Sequence, residues 1–182
     1  EQLKFLAFHD PLTNLLNRGV MEKILDREFQ RSKRYHIDLT VIFLDLDDFK
    51  SINDTYGHDN GDRALCHVAQ CLTRLKRDSD VVARFAGDEF VAILPSTNKS
   101  QAETYIHRVK TELASDPITD GDREFYVRLS HGVASVFETD MASSAVLLKT
   151  ADKRLYKAKE SKKIRPAPLA DQDTAPLNPT KG

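Results

Sequence analysis

The sequence predicts an α/β or α+β layer fold. Helix-like and strand-like stretches are mixed irregularly, one short apolar run is rich in β-branched residues, and no segment repeats internally. That combination disfavours a helical bundle and an all-β sandwich. With 182 residues, 40% of them hydrophobic and 30% charged, the chain can bury one real core.

Residues 1–9 (EQLKFLAFH) put Leu3 and Leu6 at helical spacing, like the end of an incoming signalling helix. Asp10-Pro11 breaks that pattern, because proline restrains the residue before it and lacks a donor. From Arg18 to about Arg34, Met21, Ile24, Leu25 and Phe29 recur among charges and predict an amphipathic helix. Leu39–Leu44 (LTVIFL) is too short for most helices and predicts a strand buried on both faces. A second helix pattern runs from Asp62 to about Leu75.

Val81–Ala83 and Phe90–Leu94 predict short strands around Ala86-Gly87-Asp88-Glu89, at a spacing that suits a hairpin. Ser100–Leu113 predicts a further helix, with Thr97, Asn98 or Ser100 as its N-cap. Phe125–Leu129 and Gly132–Phe137 read as strands, and Ala142–Lys159 as the last helix. After Ile164 the proline-rich polar run RPAPLADQDTAPLNPTKG predicts a disordered tail or linker. One domain is therefore expected over residues 10–164, with a tail over 165–182.

Net charge is -1, so nothing global points to nucleic acid or an anionic membrane as partner. Any phosphate chemistry must rest on local cations. No apolar stretch approaches the ~20 residues a membrane span needs. The start at Glu1-Gln2-Leu3, without Met or a signal-peptide pattern, predicts a piece of a longer, cytoplasmic or membrane-anchored protein. Cys66 and Cys71 have neither zinc spacing nor the pattern of a disulfide framework, and read as small residues in a reducing compartment.

Chemistry concentrates in Phe43-Leu44-Asp45-Leu46-Asp47-Asp48-Phe49-Lys50. A buried strand ending in carboxylates suits a hard divalent cation with oxygen ligands, and Asp45 and Asp47 share one side of such a strand. An EF-hand loop fails, since Lys50 stands where glycine is needed. A phosphatase of the haloacid-dehalogenase type and a merely solvated turn remain open for a lone D-x-D. Its context adds weight. Asn53 to Asp62 follows with Gly57 and Gly61, which allow positive φ, and Asp88 and Glu89 sit on a tight turn. With Lys50, Lys159 and Lys163 as counterions, these residues suggest Mg-dependent nucleotide chemistry.

Further motifs sharpen that reading. Asp10-Pro11-Leu12-Thr13-Asn14-Leu15-Leu16-Asn17-Arg18 resembles the D-x-L-T-x-L-x-N-R opening of the GGDEF-type diguanylate cyclase family. Phe43–Asp62 (FLDLDDFKSINDTYGHDNGD) is similar to its metal and guanine segment, and Ala86–Phe90 (AGDEF) to its namesake turn. Leu129–Ala134 and Ala151–Lys159 resemble its later strand and final helix, so the likeness spans roughly residues 8–163.

This resemblance implies a nucleotidyl-cyclase-like palm, a mostly antiparallel central sheet surrounded by helices. It implies condensation of two GTP into cyclic di-GMP with two Mg²⁺ (or Mn²⁺) per active site. Asp45, Asp88 and Glu89 with the Leu46 carbonyl would hold the metals, and Asp88 or Glu89 would take the proton. Lys50 would assist the phosphates; Phe49, His58, Gly87, Lys159 and Lys163 complete the implied substrate set. Asn53 and Asp62 would read guanine, and the chemistry agrees: a carboxylate accepts from guanine N1–H and its exocyclic amine, a donor pair adenine lacks. Arg77 and Asp80, in an R-x-x-D register before the turn, would bind cyclic di-GMP as a feedback inhibitor. Turnover would need a homodimer, since each GTP must be attacked by the other.

Two departures stand out. Ala86 replaces the family's first glycine, and Lys162, Lys163 and Ile164 replace glycine, arginine and asparagine. Lys163 keeps a cation but loses a bidentate fork. The rival functions are a catalytically weak GTP- or cyclic di-GMP-binding regulatory module and a different nucleotide enzyme on a related palm.

Overall fold

In the computed structural model, which describes residues 7–139 and 141–164 and the side chains of these up to Lys162, strand β1 (Leu39–Leu46) is buried along its whole length. Its side chains divide by parity. Ile42, Leu44 and Leu46 enter one apolar cluster, while Leu39, Val41 and Phe43 enter a second. This two-sided burial is why the run is apolar without alternation.

The elements follow in the order α1 (Arg18–Tyr35), β1, α2 (Phe49–Tyr56), α3 (His58–Leu75), β2 (Val81–Ala86), β3 (Glu89–Pro95), α4 (Lys99–Ser115), β4 (Ile118–Asp120), β5 (Arg123–Phe125), β6 (Leu129–Ser135) and α5 (Ser144–Ile164). Four strands form an antiparallel sheet in the order β2-β3-β1-β6, and β4-β5 form a separate hairpin. Helices α3 and α4 contribute Leu65, Val68, Leu72, Ile106, Val109 and Leu113 to the first cluster. Helices α1 and α5 contribute Met21, Leu25, Phe29, Leu147, Ala151 and Leu155 to the second. A central antiparallel sheet lies between helical layers, as expected.

Local chemistry sets the boundaries. Asn17 caps α1 by accepting from the Val20 N–H at 3.1 Å, and His36 ends it in the left-handed region at φ 53°. Of the three candidate caps for α4, Asn98 is the one used, in a reciprocal capping box with Gln101. At Gly132 of β6 an added Cβ would collide with the Ala151 carbonyl and the Leu155 nitrogen. Strand and helix thus touch backbone to backbone, which carries the last turns of α5 past the end of β1.

Several expectations need correction. The second expected helix, α3, starts before Asp62, at His58, and Phe49–Tyr56, for which the sequence predicts no element, is helical as well. Gly57 takes the expected positive φ, 84°, at the joint, but Gly61 lies inside α3 and takes none. Phe125–Leu129 is not one strand. Phe125, Val127 and Leu129 are buried in alternation, yet Phe125 closes β5 opposite Ile118 and β6 starts at Leu129. Alternating burial there lacks a continuous partner ladder, which is what a strand requires. Helix α5 runs past Lys159 to Ile164. Leu3, Leu6, the tail over 165–182 and the Lys163 side chain lie outside the described residues. Among the described residues no helix is long and apolar enough to cross a membrane.

Candidate active site

The C-terminal end of β1 meets the β2–β3 hairpin. Asp45 stands directly opposite Glu89 across the β1–β3 ladder, and the Leu46 N–H donates to the Asp88 carbonyl at 3.1 Å. Like charges facing each other across strands are unfavourable unless a cation joins them. Asp45 is only 7% exposed. Burial pushes its carboxyl above the ordinary range; Lys159 of α5 opposes this, while Asp88 and Asp47 add to it. Glu89 is raised likewise, by burial first and then by Asp45, Asp88 and Asp152, against Lys159.

Lys159 Nζ forms an ion pair with the buried Asp45 Oδ1, which has no further hydrogen-bond partner among the described residues. A crowded set of carboxylates with an under-satisfied buried oxygen is the donor chemistry of a Mg²⁺ site. Among the described residues no three His, Cys, Asp or Glu side chains form a ready cage. Mg²⁺ does not demand one, since it keeps waters and takes one or two carboxylates plus phosphate oxygens. The residues present fit that pattern.

Asp47 sits one residue beyond β1 and is held separately. It accepts from Ser130 Oγ and from Lys162 Nζ, both at 2.5 Å, while Lys162 also reaches Ser130 at 2.8 Å. Both Asp45 and Asp47 therefore take a lysine from α5, in keeping with the shared side expected of them. Asp48 follows in the left-handed region at φ 57° and starts α2. Lys50 is exposed on α2.

Helices α2 and α3 bring Asn53 against Gly61, the residue before Asp62. The Asn53 Oδ1 and, at 3.4 Å, a Phe49 ring carbon are what a Cβ on Gly61 would meet. Gly61 is thus small because the Asn53 side chain occupies that space, one residue from Asp62. Asp62 and His58 are exposed on α3. Burial raises the Cys66 thiol, followed by Asp62 and, more weakly, Asp10, with Arg84 opposing, so these charges share one neighbourhood. In the hairpin Gly87 takes φ 43°, whereas Ala86 stays out of the left-handed region.

Arg77 and Asp80 lie apart, between α3 and β2. The Arg77 N–H donates to Asp80 Oδ2 at 2.9 Å, and Asp80 is buried. They line a cavity of about 70 Å³ that also receives Arg108 and Tyr105 of α4. Arg108 had no motif to mark it, being one charge on an amphipathic helix. Lys162 and Arg128 likewise escaped the sequence, because their relation to Asp47 is purely tertiary. Cys66 and Cys71 are free thiols, as expected.

The family model described as diguanylate cyclase, GGDEF domain, matches residues 7–165. The chain is 37% identical over 164 residues to the probable diguanylate cyclase DgcC of Escherichia coli K12, covering 90% of this chain and 44% of that protein. It therefore spans less than half the length of that relative. It resembles the structure of diguanylate cyclase SiaD of Pseudomonas aeruginosa, solved with its activator SiaC, at a TM-score of 0.80 and 33% identity, covering 88% of this chain and 61% of that one. The coiled coil and GGDEF domain of DgcB from Caulobacter crescentus, solved with c-di-GMP, gives a TM-score of 0.81 at 28% identity, covering 88% and 84%. Family model and fold agree, and the chain belongs to the GGDEF diguanylate cyclase domain family.

Proposed function

We propose that this domain condenses two GTP molecules into cyclic di-GMP and two pyrophosphates. The observation that carries the proposal is the meeting of Asp45, Asp88 and Glu89 where β1 faces the hairpin, with Lys159 against them. Asp45 and Asp88, with the Leu46 carbonyl, would hold Mg²⁺, or Mn²⁺ in its place. When bound, the metals supply charge neutralisation at the triphosphate and acidify the attacking ribose 3′-hydroxyl.

The chain's own groups do the rest. Glu89, its carboxyl raised by burial, is suited to take the 3′-hydroxyl proton. The freed oxygen attacks the α-phosphorus of the other GTP, and the bond to the β-phosphate oxygen breaks to release pyrophosphate. Lys159 and Lys50 offer charge to phosphate oxygens, and the Gly87 turn lets backbone approach closely. Asn53 and Asp62 select guanine. Each site holds one GTP, so two copies must face each other in an isologous pair.

Arg77 and Asp80, joined by Arg108, are proposed to bind the product and limit turnover; two arginines bordering one small hollow, able to grip phosphates from its rim, support that role. The test is product analysis after incubation with Mg²⁺ and either GTP or ATP. The proposal expects cyclic di-GMP from GTP alone, at a rate rising faster than linearly with enzyme concentration. An ATP-derived product, or strong turnover strictly proportional to enzyme, would overturn it.

A further inference from the structure

We propose that Arg128, between β5 and β6, grips the terminal phosphates of the bound nucleotide; the assignment rests on the GTP reading of this site. A cavity of about 460 Å³ opens beside the end of β1, lined among the described residues by Asp47, Asp48, Arg128, Lys159 and Lys162. Its three cations differ in what they are already doing. Lys159 is paired with Asp45, and Lys162 with Asp47 at 2.5 Å and with Ser130. Arg128 is exposed and has neither an ion pair nor a side-chain hydrogen bond among the described residues. Among the described lining cations it alone has no carboxylate partner.

The backbone holds Arg128 in place at that wall. Its carbonyl accepts from the Asp47 N–H at 2.9 Å, which ties the residue to the acidic end of β1. The same side chain lines two adjoining hollows, of about 300 and 280 Å³, so the guanidinium has room to turn along the cavity. Surrounding charge favours an incoming anion. Burial, then the Lys162 charge, hold the Lys110 ammonium below its usual value, with Asp47 and Glu103 only partly offsetting them. Around the cavity itself, three cations (Arg128, Lys159 and Lys162) line the wall against two carboxylates, Asp47 and Asp48.

Residue type matters as much as position. Positions 159, 162 and 163 of α5 are all lysines, which meet phosphate as point charges. A triphosphate tail presents several oxygens in planes that a guanidinium fork matches bidentately. Arg128 supplies the fork that these α5 positions lack, from a different element.

The test uses the chain with Mg²⁺ and calorimetric binding of GTP, GMP and inorganic tripolyphosphate to wild type, Arg128→Ala, Arg128→Gln and Arg128→Lys. Arg128→Ala is expected to weaken GTP and tripolyphosphate by about tenfold or more, with Arg128→Lys in between and GMP unchanged within about twofold. Thermal melts report folding, and if the alanine variant fails to fold, the glutamine and lysine variants carry the comparison. Equal GTP binding by wild type and variants, or equal weakening of GTP and GMP, would overturn the assignment. Arg128-dependent tripolyphosphate binding without guanine preference or cyclic di-GMP formation would keep the assignment and remove the cyclase reading. A wild-type chain that binds neither GTP nor tripolyphosphate would remove both.

Discussion

Arg84, at the hairpin, reaches back to Asp10 at the start of the domain, its Nη1 donating to both carboxylate oxygens at 3.0 and 3.2 Å while its Nε donates to the Gly87 carbonyl at 2.9 Å. The opening motif and the namesake turn are thereby clipped together. Asp10 also accepts from the Thr13 N–H and hydroxyl, at 2.8 and 2.7 Å. Burial pushes the Asp10 carboxyl up, but those hydrogen bonds and Arg84 outweigh it and hold it below its ordinary 3.8.

Asp10→Asn is expected to cost on the order of 2 kcal/mol at neutral pH and to lower turnover by loosening the Gly87 turn. A carboxylate with a lowered pKa stabilises the fold above its unfolded value and loses that contribution as pH falls through the folded one. The stability gap between wild type and Asp10→Asn should therefore be constant near neutrality and close below about pH 4. Denaturant melts across that range check it; a gap that widened in acid would refute the clip.

Asp45 is expected to behave in the opposite sense. Its ionised form is disfavoured by burial first, and then by Asp88 and Asp47, so in chelator Asp45→Asn should stabilise the fold, by roughly 1 kcal/mol. The same change should abolish both turnover and the added stability seen with Mg²⁺. Thermal melts with and without Mg²⁺ decide this. A lower melting temperature for Asp45→Asn in chelator would mean that the Lys159 pair is a net stabiliser instead.

Gly61→Ala should act on binding. The new methyl would displace the Asn53 amide, the end of a flexible side chain, so the fold should survive with a loss below about 1 kcal/mol. GTP binding should weaken by about tenfold, as expected for one displaced polar contact. Unchanged GTP affinity would show that Asn53 does not read the base.

Gly132→Ala should act on the fold. There the obstacle is α5 backbone at Ala151 and Leu155, which cannot step aside cheaply. A loss of about 2 kcal/mol or more is expected, read as a lower denaturant midpoint at unchanged slope. A neutral substitution would mean that α5 sits less tightly on β6 than the structure has it.

Much of this architecture was legible in the chain. β1 announced itself because burial on both faces leaves no charged position before Asp45, and α4 because Asn98 and Gln101 carry its start in their side chains. α2 was hidden because Asn53, Asp54 and two nearby glycines read locally as a loop, while the Phe49 and Ile52 contacts that make it a helix are tertiary. β4 has three residues, too few for any period to show. The motif residues of the site were legible one by one. Their electrostatics were not: that Asp45 faces Glu89, that Lys162 holds Asp47, and that Arg128 lines the cavity beside them all depend on strand register and on the path of α5.

The most direct test of the central claim is product analysis of the purified chain with GTP and Mg²⁺, beside Asp88→Ala at equal concentration. Cyclic di-GMP and pyrophosphate from the wild type, lost in Asp88→Ala while its melting curve stays intact, is the expected result. No product at high protein concentration, with GTP or cyclic di-GMP still bound, would contradict the claim and leave a regulatory binding domain on the same fold.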